Sequence, residues 1–241
     1  MRSTPRFTAL DIIGPFQVLA DVPGHDVVFV AGDAGPVVDH TGRCPLIATA
    51  TFAEVTAPDI VVVPGELFAD WDDRVVQWLR QVHPTTTWTT SVCTGALYLA
   101  AAGILDGVDA TTHWARKEQL ERLGAHYTDQ RVVERGKVIT AAGVSSGTDM
   151  ALTLLDRMYG PAVAQSVQLA IEYDPSRPST PAHPRKRQPT SSNSQGRHSR
   201  PPPQRVRPTT ADPCTTTAMR WSPPTVASEQ LHGKQATSLE P

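Results

Sequence analysis

The sequence predicts an α/β fold, a doubly wound and mostly parallel sheet with helices on both faces. First, strand-like apolar runs alternate with stretches of helical periodicity along residues 26–173. Second, the run at 59–63 (DIVVV) is continuously apolar after Asp59 and is followed by Pro64 and Gly65, as is typical of a buried parallel strand. Third, about 174 residues of ordinary composition suit one such domain.

Each predicted element has a local reason. The strands are short runs rich in β-branched and aromatic residues, and the helices carry apolar residues at helical spacing. Gly103 and Gly124 end two of the helices, and Gly136 turns a hairpin. The predicted strands are 26–31, 46–52, 59–63, 86–92 and 110–113, followed by the hairpin 132–139. The predicted helices are 71–82, 94–102, 116–123, 145–159 and 162–173.

The two ends of the chain depart from this pattern. Before Asp11 only residues 6–10, which follow Pro5, could form a strand, so the opening strand is expected to be truncated. Residues 175–241 hold 13 of the 22 prolines and 10 basic against 3 acidic residues, whereas the rest holds 12 against 21. A basic, Pro/Ser/Thr/Arg-rich segment with few large apolar residues cannot offset its ordering entropy. We therefore predict a domain over 1–174 and a disordered tail over 175–241.

Composition also narrows the function classes. Three cysteines, Cys44, Cys93 and Cys214, give no disulfide framework, and the sequence shows neither an apolar run of membrane-spanning length nor a signal peptide. A cytoplasmic location follows as the expectation. The acidic domain gives no reason to expect a specific nucleic-acid or membrane partner. No His/Cys/Asp cluster has metal-ligand spacing, so neither a metal nor another cofactor is predicted.

The residues of chemical interest follow strands. Gly65 follows 59–63, Cys93 follows 86–92, and His113 ends 110–113. In a parallel sheet these carboxyl ends meet at one edge, where ligands bind. Cys93 also precedes a predicted helix, whose N-terminal N–H groups stabilise a thiolate. The alternative for Cys93 is a buried structural thiol, because free cysteine is among the most buried residue types.

Four motifs carry a resemblance to a known family. They lie at 9–15 (ALDIIGP), 61–66 (VVVPGE), 90–96 (TSVCTGA) and 110–114 (ATTHW). Together they resemble the DJ-1/PfpI superfamily, which has a flavodoxin-like, class I glutamine amidotransferase-like fold. Within it, the isonitrile hydratases are the most similar group. The N-terminal domain of AraC-type transcription regulators is also similar, but the helix-turn-helix region that follows it there is not seen in this sequence.

The resemblance implies a role for each site residue. Cys93 would be the nucleophile, Asp11 the acidic group beside it, and Thr94 a polar group that positions water or substrate. Gly65, Glu66, Gly95 and His113 would line the substrate and oxyanion side. Glu66 replaces the second glycine that the family usually has, and its charge would oppose an anionic substrate. Desolvation and a neighbouring thiolate should raise the pKa of Asp11.

The implied activity is hydration of an isonitrile to an N-substituted formamide by a hydro-lyase, with a homodimer as the common assembly of the family. Three alternatives stay open: a cysteine-based redox or glyoxal-handling relative, a ligand-sensing domain without turnover, and an inactive remnant. The remnant interpretation comes from residues 179–184 (STPAHP). At this point the family sequence resembles a run that contains FDAGTP. A one-nucleotide frameshift near codon 178 would convert FDAGTP into STPAHP, and the same frameshift would account for the basic tail.

Overall fold

The computed structural model describes residues 7–66, residues 72–175 and the backbone of 218–221. The helices are α1 (Ala9–Leu19), α2 (Asp73–Val82), α3 (Gly95–Ala101), α4 (Lys117–Arg122), α5 (Ser146–Tyr159) and α6 (Pro161–Ala170). The strands are β1 (His25–Asp26), β2 (Val30–Ala31), β3 (Gly35–Val38), β4 (Pro45–Ala48), β5 (Ala50–Thr51), β6 (Ile60–Val63), β7 (Trp88–Val92), β8 (Asp109–Ala110), β9 (His126–Tyr127), β10 (Val132–Arg135), β11 (Val138–Ala141) and β12 (Ala218–Trp221).

One six-stranded sheet organises the described chain, in the order β1-β12-β6-β7-β11-β10. Strands β6, β7 and β11 are parallel neighbours, whereas β10 joins β11 through the predicted antiparallel hairpin. Because β6, β7 and β11 are parallel, their carboxyl ends meet at one edge. The α/β fold with a mostly parallel sheet is therefore confirmed.

The two faces of β6 separate two cores. Val61 and Val63 pack with residues of α2 and α3, whereas Ile60 and Val62 pack with residues of α1 and α5. Every residue of this strand is buried, which explains why its sequence is apolar without alternation. The three-layer arrangement places α1 and α3 on opposite faces of the same strand.

The N-terminal third is more broken than predicted. Phe7 makes only an isolated bridge to Glu66 before α1 begins at Ala9, so no full strand opens the described chain. The predicted strand 26–31 divides into β1 and β2, which belong to different sheets. The predicted strand 46–52 likewise divides into β4 and β5, with β4 pairing with the unpredicted β3. Short two-residue pairings, of β1 with β12 and of β2 with β5, are therefore found where two longer strands were predicted.

Smaller differences concern element ends and the tail. The predicted strand 110–113 is reduced to β8, and the last predicted helix ends at Ala170 rather than 173. The predicted disorder of 175–241 lies outside the described residues apart from Pro175 and 218–221. At 218–221 the structure departs from that prediction, because these residues form β12 inside the main sheet.

None of the helices over 7–66 and 72–175 is long and apolar enough to span a bilayer. The longest of them, α5, has 14 residues, against the roughly 20 that a spanning helix needs.

Candidate active site

Cys93 occupies the turn between β7 and α3 with a left-handed backbone, at φ +58°. This conformation is uncommon for a residue with a Cβ and costs on the order of 1–3 kcal/mol. Hydrogen bonds hold it in place: the Cys93 N–H donates to the carbonyl oxygens of Ala141 and Ala142, and the Thr112 hydroxyl donates to the Cys93 carbonyl. The arrangement matches the predicted strand-to-helix turn at Cys93.

Two glycines let the end of β6 approach the start of α3. A Cβ on Gly65 would lie 2.6 Å from both the backbone nitrogen and the hydroxyl oxygen of Thr94, and 2.9 Å from Oδ2 of Asp11. A Cβ on Gly95 would collide with the carbonyl oxygen of Val63. Close backbone approach, rather than a positive φ, is therefore what these positions require.

Asp11 is fully buried in the first turn of α1, at 0% exposure. Its Oδ2 accepts a hydrogen bond of 2.8 Å from the Gly65 N–H, whereas Oδ1 has no hydrogen-bond partner among the described residues. Burial raises the pKa of Asp11 to about 7, and hydrogen bonds from Gly65 and from the Cys93 thiol only partly oppose this. The predicted rise of this pKa is therefore present, with desolvation as the main cause.

The thiol of Cys93 is only 5% exposed and packs in the core beside α1 and α5. Burial, and after it the charge of Asp11, raise its pKa to about 12, although the N–H groups of Val144 and Thr94 donate to the sulfur. The helix N-terminus was expected to stabilise a thiolate, but the pKa of this thiol is raised rather than lowered. The N–H of Thr94, at the start of α3, and the N–H of Val144, just before α5, do not outweigh desolvation and a neighbouring carboxylate.

Thr94 joins the two junctions. Its hydroxyl donates to the Glu66 carbonyl and accepts from the Glu66 N–H, both at 2.8 Å. A hydroxyl has one proton to donate, and here that proton is already used. The structure therefore places Thr94 as a tie between β6 and α3, with its N–H on the sulfur, and the predicted water-positioning role stays a prediction.

Two residues of the predicted oxyanion side, Gly65 and Glu66, have their N–H groups engaged within the protein. The Gly65 N–H donates to Asp11 and the Glu66 N–H donates to Thr94. The Glu66 carboxylate accepts a hydrogen bond of 2.6 Å from the Tyr98 hydroxyl. The N–H groups that face the sulfur belong instead to Thr94 and Val144.

Val144 is a functional candidate that the sequence reasoning missed. It follows β11, whose carboxyl end meets that of β7 at the same edge of the sheet. An apolar side chain gives no chemical signal, because the contribution comes from its backbone. Its place between a predicted hairpin (132–139) and a predicted helix (145–159) was the only hint available.

His113 lies at the rim rather than at the sulfur. Its Nδ1 accepts a weak hydrogen bond of 3.3 Å from the Ala115 N–H, and its ring lies beside the exposed Trp114. A Cβ added to Gly143 would lie 3.2 Å from the His113 ring, which connects this histidine to the segment that carries Val144. Burial and the nearby Arg116 lower its pKa, so the ring is neutral at pH 7.

A three-layer α/β protein with a cysteine on a left-handed strand-to-helix turn and a buried carboxyl beside it defines the class of this chain. The DJ-1/PfpI family model matches residues 2–157, and the chain belongs to that family. It is 40% identical over 177 residues to the isonitrile hydratase of Pseudomonas putida. The aligned region covers 72% of this chain and 77% of that enzyme.

Two further relatives define the range of the similarity. The HTH-type transcriptional regulator CdhR of Pseudomonas aeruginosa is 34% identical over 145 residues, 57% of this chain and 42% of the regulator. A ThiJ/PfpI family protein from Pseudomonas syringae has a similar crystal structure, with a TM-score of 0.70, 31% identity and coverage of 75% of this chain and 76% of that one. The family thus includes both an enzyme and a regulator among the relatives of this chain.

Proposed function

We propose that the protein is an isonitrile hydratase-like lyase that adds water to an isonitrile and releases an N-substituted formamide. The observation that carries the proposal is the buried pair of Asp11 and Cys93, in which the carboxyl has a pKa of about 7 beside a protonated thiol. Similarity to an isonitrile hydratase supports the choice of substrate.

The chemistry follows from one proton shared by two acids. At neutral pH the pair loses its first proton, and transfer of the remaining proton from the thiol to Asp11 gives a thiolate and a carboxylic acid. The thiolate attacks the terminal carbon of R–N≡C, and Asp11 protonates that same carbon. The product is a thioimidate, R–N=CH–S–Cys93, with Asp11 again a carboxylate.

Hydrolysis then uses the same carboxylate as a base. Asp11 takes a proton from water while the oxygen adds to the thioimidate carbon. Cleavage of the C–S bond returns the proton to the sulfur, and the released R–N=CH–OH tautomerises to R–NH–CHO. The N–H groups of Thr94 and Val144 stabilise the negative charge on the sulfur in both steps. Glu66 gives the site a negative charge, which favours uncharged substrates such as isonitriles.

The test is formamide production from cyclohexyl isocyanide, followed by mass spectrometry of the protein. We expect Cys93→Ala to abolish turnover and any adduct, because it removes the nucleophile. Cys44→Ala is the matched control, since Cys44 is the other described free cysteine and lies outside the site. Turnover by Cys93→Ala at the wild-type rate would reject the covalent route.

A ligand-sensing domain is the second candidate, favoured by the small exposure of the thiol and by the similarity to a regulator. Such a domain would bind a small molecule without converting it. Calorimetry with cyclohexyl isocyanide separates the two: saturable binding to wild type and to Cys93→Ala alike, with no formamide, would favour the sensor. As part of the lyase proposal, we also propose that the protein forms a homodimer and is located in the cytoplasm.

A further inference from the structure

The main sheet has an unusual interior strand, β12. It lies between β1 and β6 and runs antiparallel to both, although β6, β7 and β11 are parallel. Ala218 and Met219 pair with Val61 and Ile60, and Arg220 and Trp221 pair with Asp26 and His25. Within the described residues, β12 is the only element that connects β1 to the rest of this sheet.

The described part of the N-terminal segment, from Phe7 onward, does not run along the length of β6. Phe7 reaches only Glu66, Thr8 donates to the Gly65 carbonyl, and α1 then begins at Ala9. Alongside Ile60 and Val61 the described chain offers no partner on that side except β12. Since every residue of β6 is buried, an empty position would leave backbone polar groups unpaired in the interior.

The connection is long enough for the chain to fill the position itself. Forty-two residues lie between Pro175 and Ala218, and at about 3.3 Å per residue they span at most roughly 140 Å. That reach exceeds the dimensions of a domain of this size, so the tail can return to the sheet from the end of α6. The pairing uses main-chain hydrogen bonds, as in the addition of an extended peptide to a sheet edge.

We propose that the gap between β1 and β6 is a strand-addition site and that its occupant is residues 218–221 of the same chain. This inference is independent of the proposed lyase activity. It gives the C-terminal segment a structural function, the completion of the sheet on which the Cys93 site is built. β6 leads directly into Gly65 and Glu66, so its pairing also supports the contacts to Asp11 and Thr94.

The direct test is a disulfide between Asp26→Cys and Arg220→Cys in full-length protein, with Cys44, Cys93 and Cys214 replaced by alanine. These two positions are directly paired, and paired antiparallel residues have Cα atoms about 4.5–5.5 Å apart, within disulfide range. We expect a major intramolecular crosslink after mild oxidation. Asp26→Cys with Ser228→Cys is the control. No crosslink above that control, or one formed between two copies, would overturn the proposal.

A second measurement uses hydrogen exchange of β6. Met219→Pro removes a backbone N–H from β12 and should speed exchange in β1 and β6 by about tenfold or more. Met219→Ala changes the same side chain but keeps the N–H, so its protection should stay close to wild type. Equal protection in the two variants would show that 218–221 does not occupy the position.

Discussion

Two carboxylates of this protein, Asp11 and Asp39, have almost no exposed surface, at 0% and 3%, and yet their pKa values lie at opposite ends of the acid range. Burial raises the pKa of Asp11 to about 7. Burial acts in the same direction on Asp39, but hydrogen bonds from the N–H groups of Cys44 and Arg43 and from Thr41 lower its pKa to about 2. Burial alone therefore does not decide the protonation state of a carboxyl.

Depth and the number of donors both differ: Asp39 lies much nearer the protein surface than Asp11 and accepts more hydrogen bonds. Asp39 lies after β3, and its Oδ1 accepts from Thr41, Arg43 and Cys44 at 2.9–3.0 Å, so the turn into β4 is built around its charge. Asp11 has one backbone donor, Gly65, and an acidic neighbour. The first environment stabilises an ion for structure, whereas the second keeps a proton available at neutral pH, as an acid–base group requires.

The largest expected effect comes from removing the exchangeable proton of Asp11. Asp11→Asn should lower kcat/KM for isonitrile hydration by about 10²–10⁴-fold, the usual contribution of a positioned acid–base group. In wild type, kcat/KM should rise about tenfold per pH unit up to a pKa near 7 and then level off, because ionisation of the pair creates the reactive form.

The control for this prediction is Asp11→Glu, which keeps a carboxyl and should retain a pH-dependent limb even if its rate is reduced. Formamide formation measured from pH 5 to 9 checks both variants. A rate for Asp11→Asn that is wild-type in size and still titrates near pH 7 would assign the limb to another group.

The next effect concerns stability. The folded pKa of Asp11 is raised to about 7, above the unfolded value of about 3.9, so the folded state binds more protons between these values. Ionisation of Asp11 therefore lowers the free energy of unfolding. This loss grows as the pH rises from about 4 to 7 and reaches roughly 4 kcal/mol at most. Asp11→Asn should be relatively more stable at pH 8 than at pH 4, by about 2–4 kcal/mol. Urea unfolding of both proteins at the two pH values measures this; a constant difference would contradict the raised pKa.

Much of the site could be anticipated from local sequence. The strand-to-helix position of Cys93 follows from 86–92 and the helix after it, and the family resemblance identified Asp11 as the facing carboxyl. The state of the thiol could not be derived in this way, because its pKa depends on packing against α1 and α5, which are distant in sequence. The same holds for Val144, whose contribution is a backbone N–H.

The fold divides along similar lines. Strand β6 and the hairpin of β10 and β11 are visible in the sequence, because continuous burial and a glycine turn leave local patterns. Strand β12 has no such pattern: its four residues lie in a basic segment rich in proline, and only pairing with β1 and β6 gives them an extended structure. Long-range pairing of this kind depends on the position available between β1 and β6 rather than on the local β propensity of residues 218–221.

The smallest expected effect tests the other half of the comparison. Thr41→Val removes a hydroxyl that donates to both carboxylate oxygens of Asp39, at 2.9 and 2.8 Å, and keeps the shape of the side chain. It should destabilise the protein by about 1 kcal/mol at pH 7.

The lowered pKa of Asp39 makes this contribution depend on pH. It stabilises the folded state above the unfolded pKa, and this stabilisation is lost as the pH falls towards about 2. The difference between Thr41→Val and wild type should therefore shrink below pH 4, and Thr41→Ser should restore stability because it keeps the hydroxyl. If Thr41→Ser and Thr41→Val lost stability equally, the methyl group rather than the hydrogen bond would account for the contribution of Thr41, and the contrast between Asp39 and Asp11 would depend on the backbone donors alone.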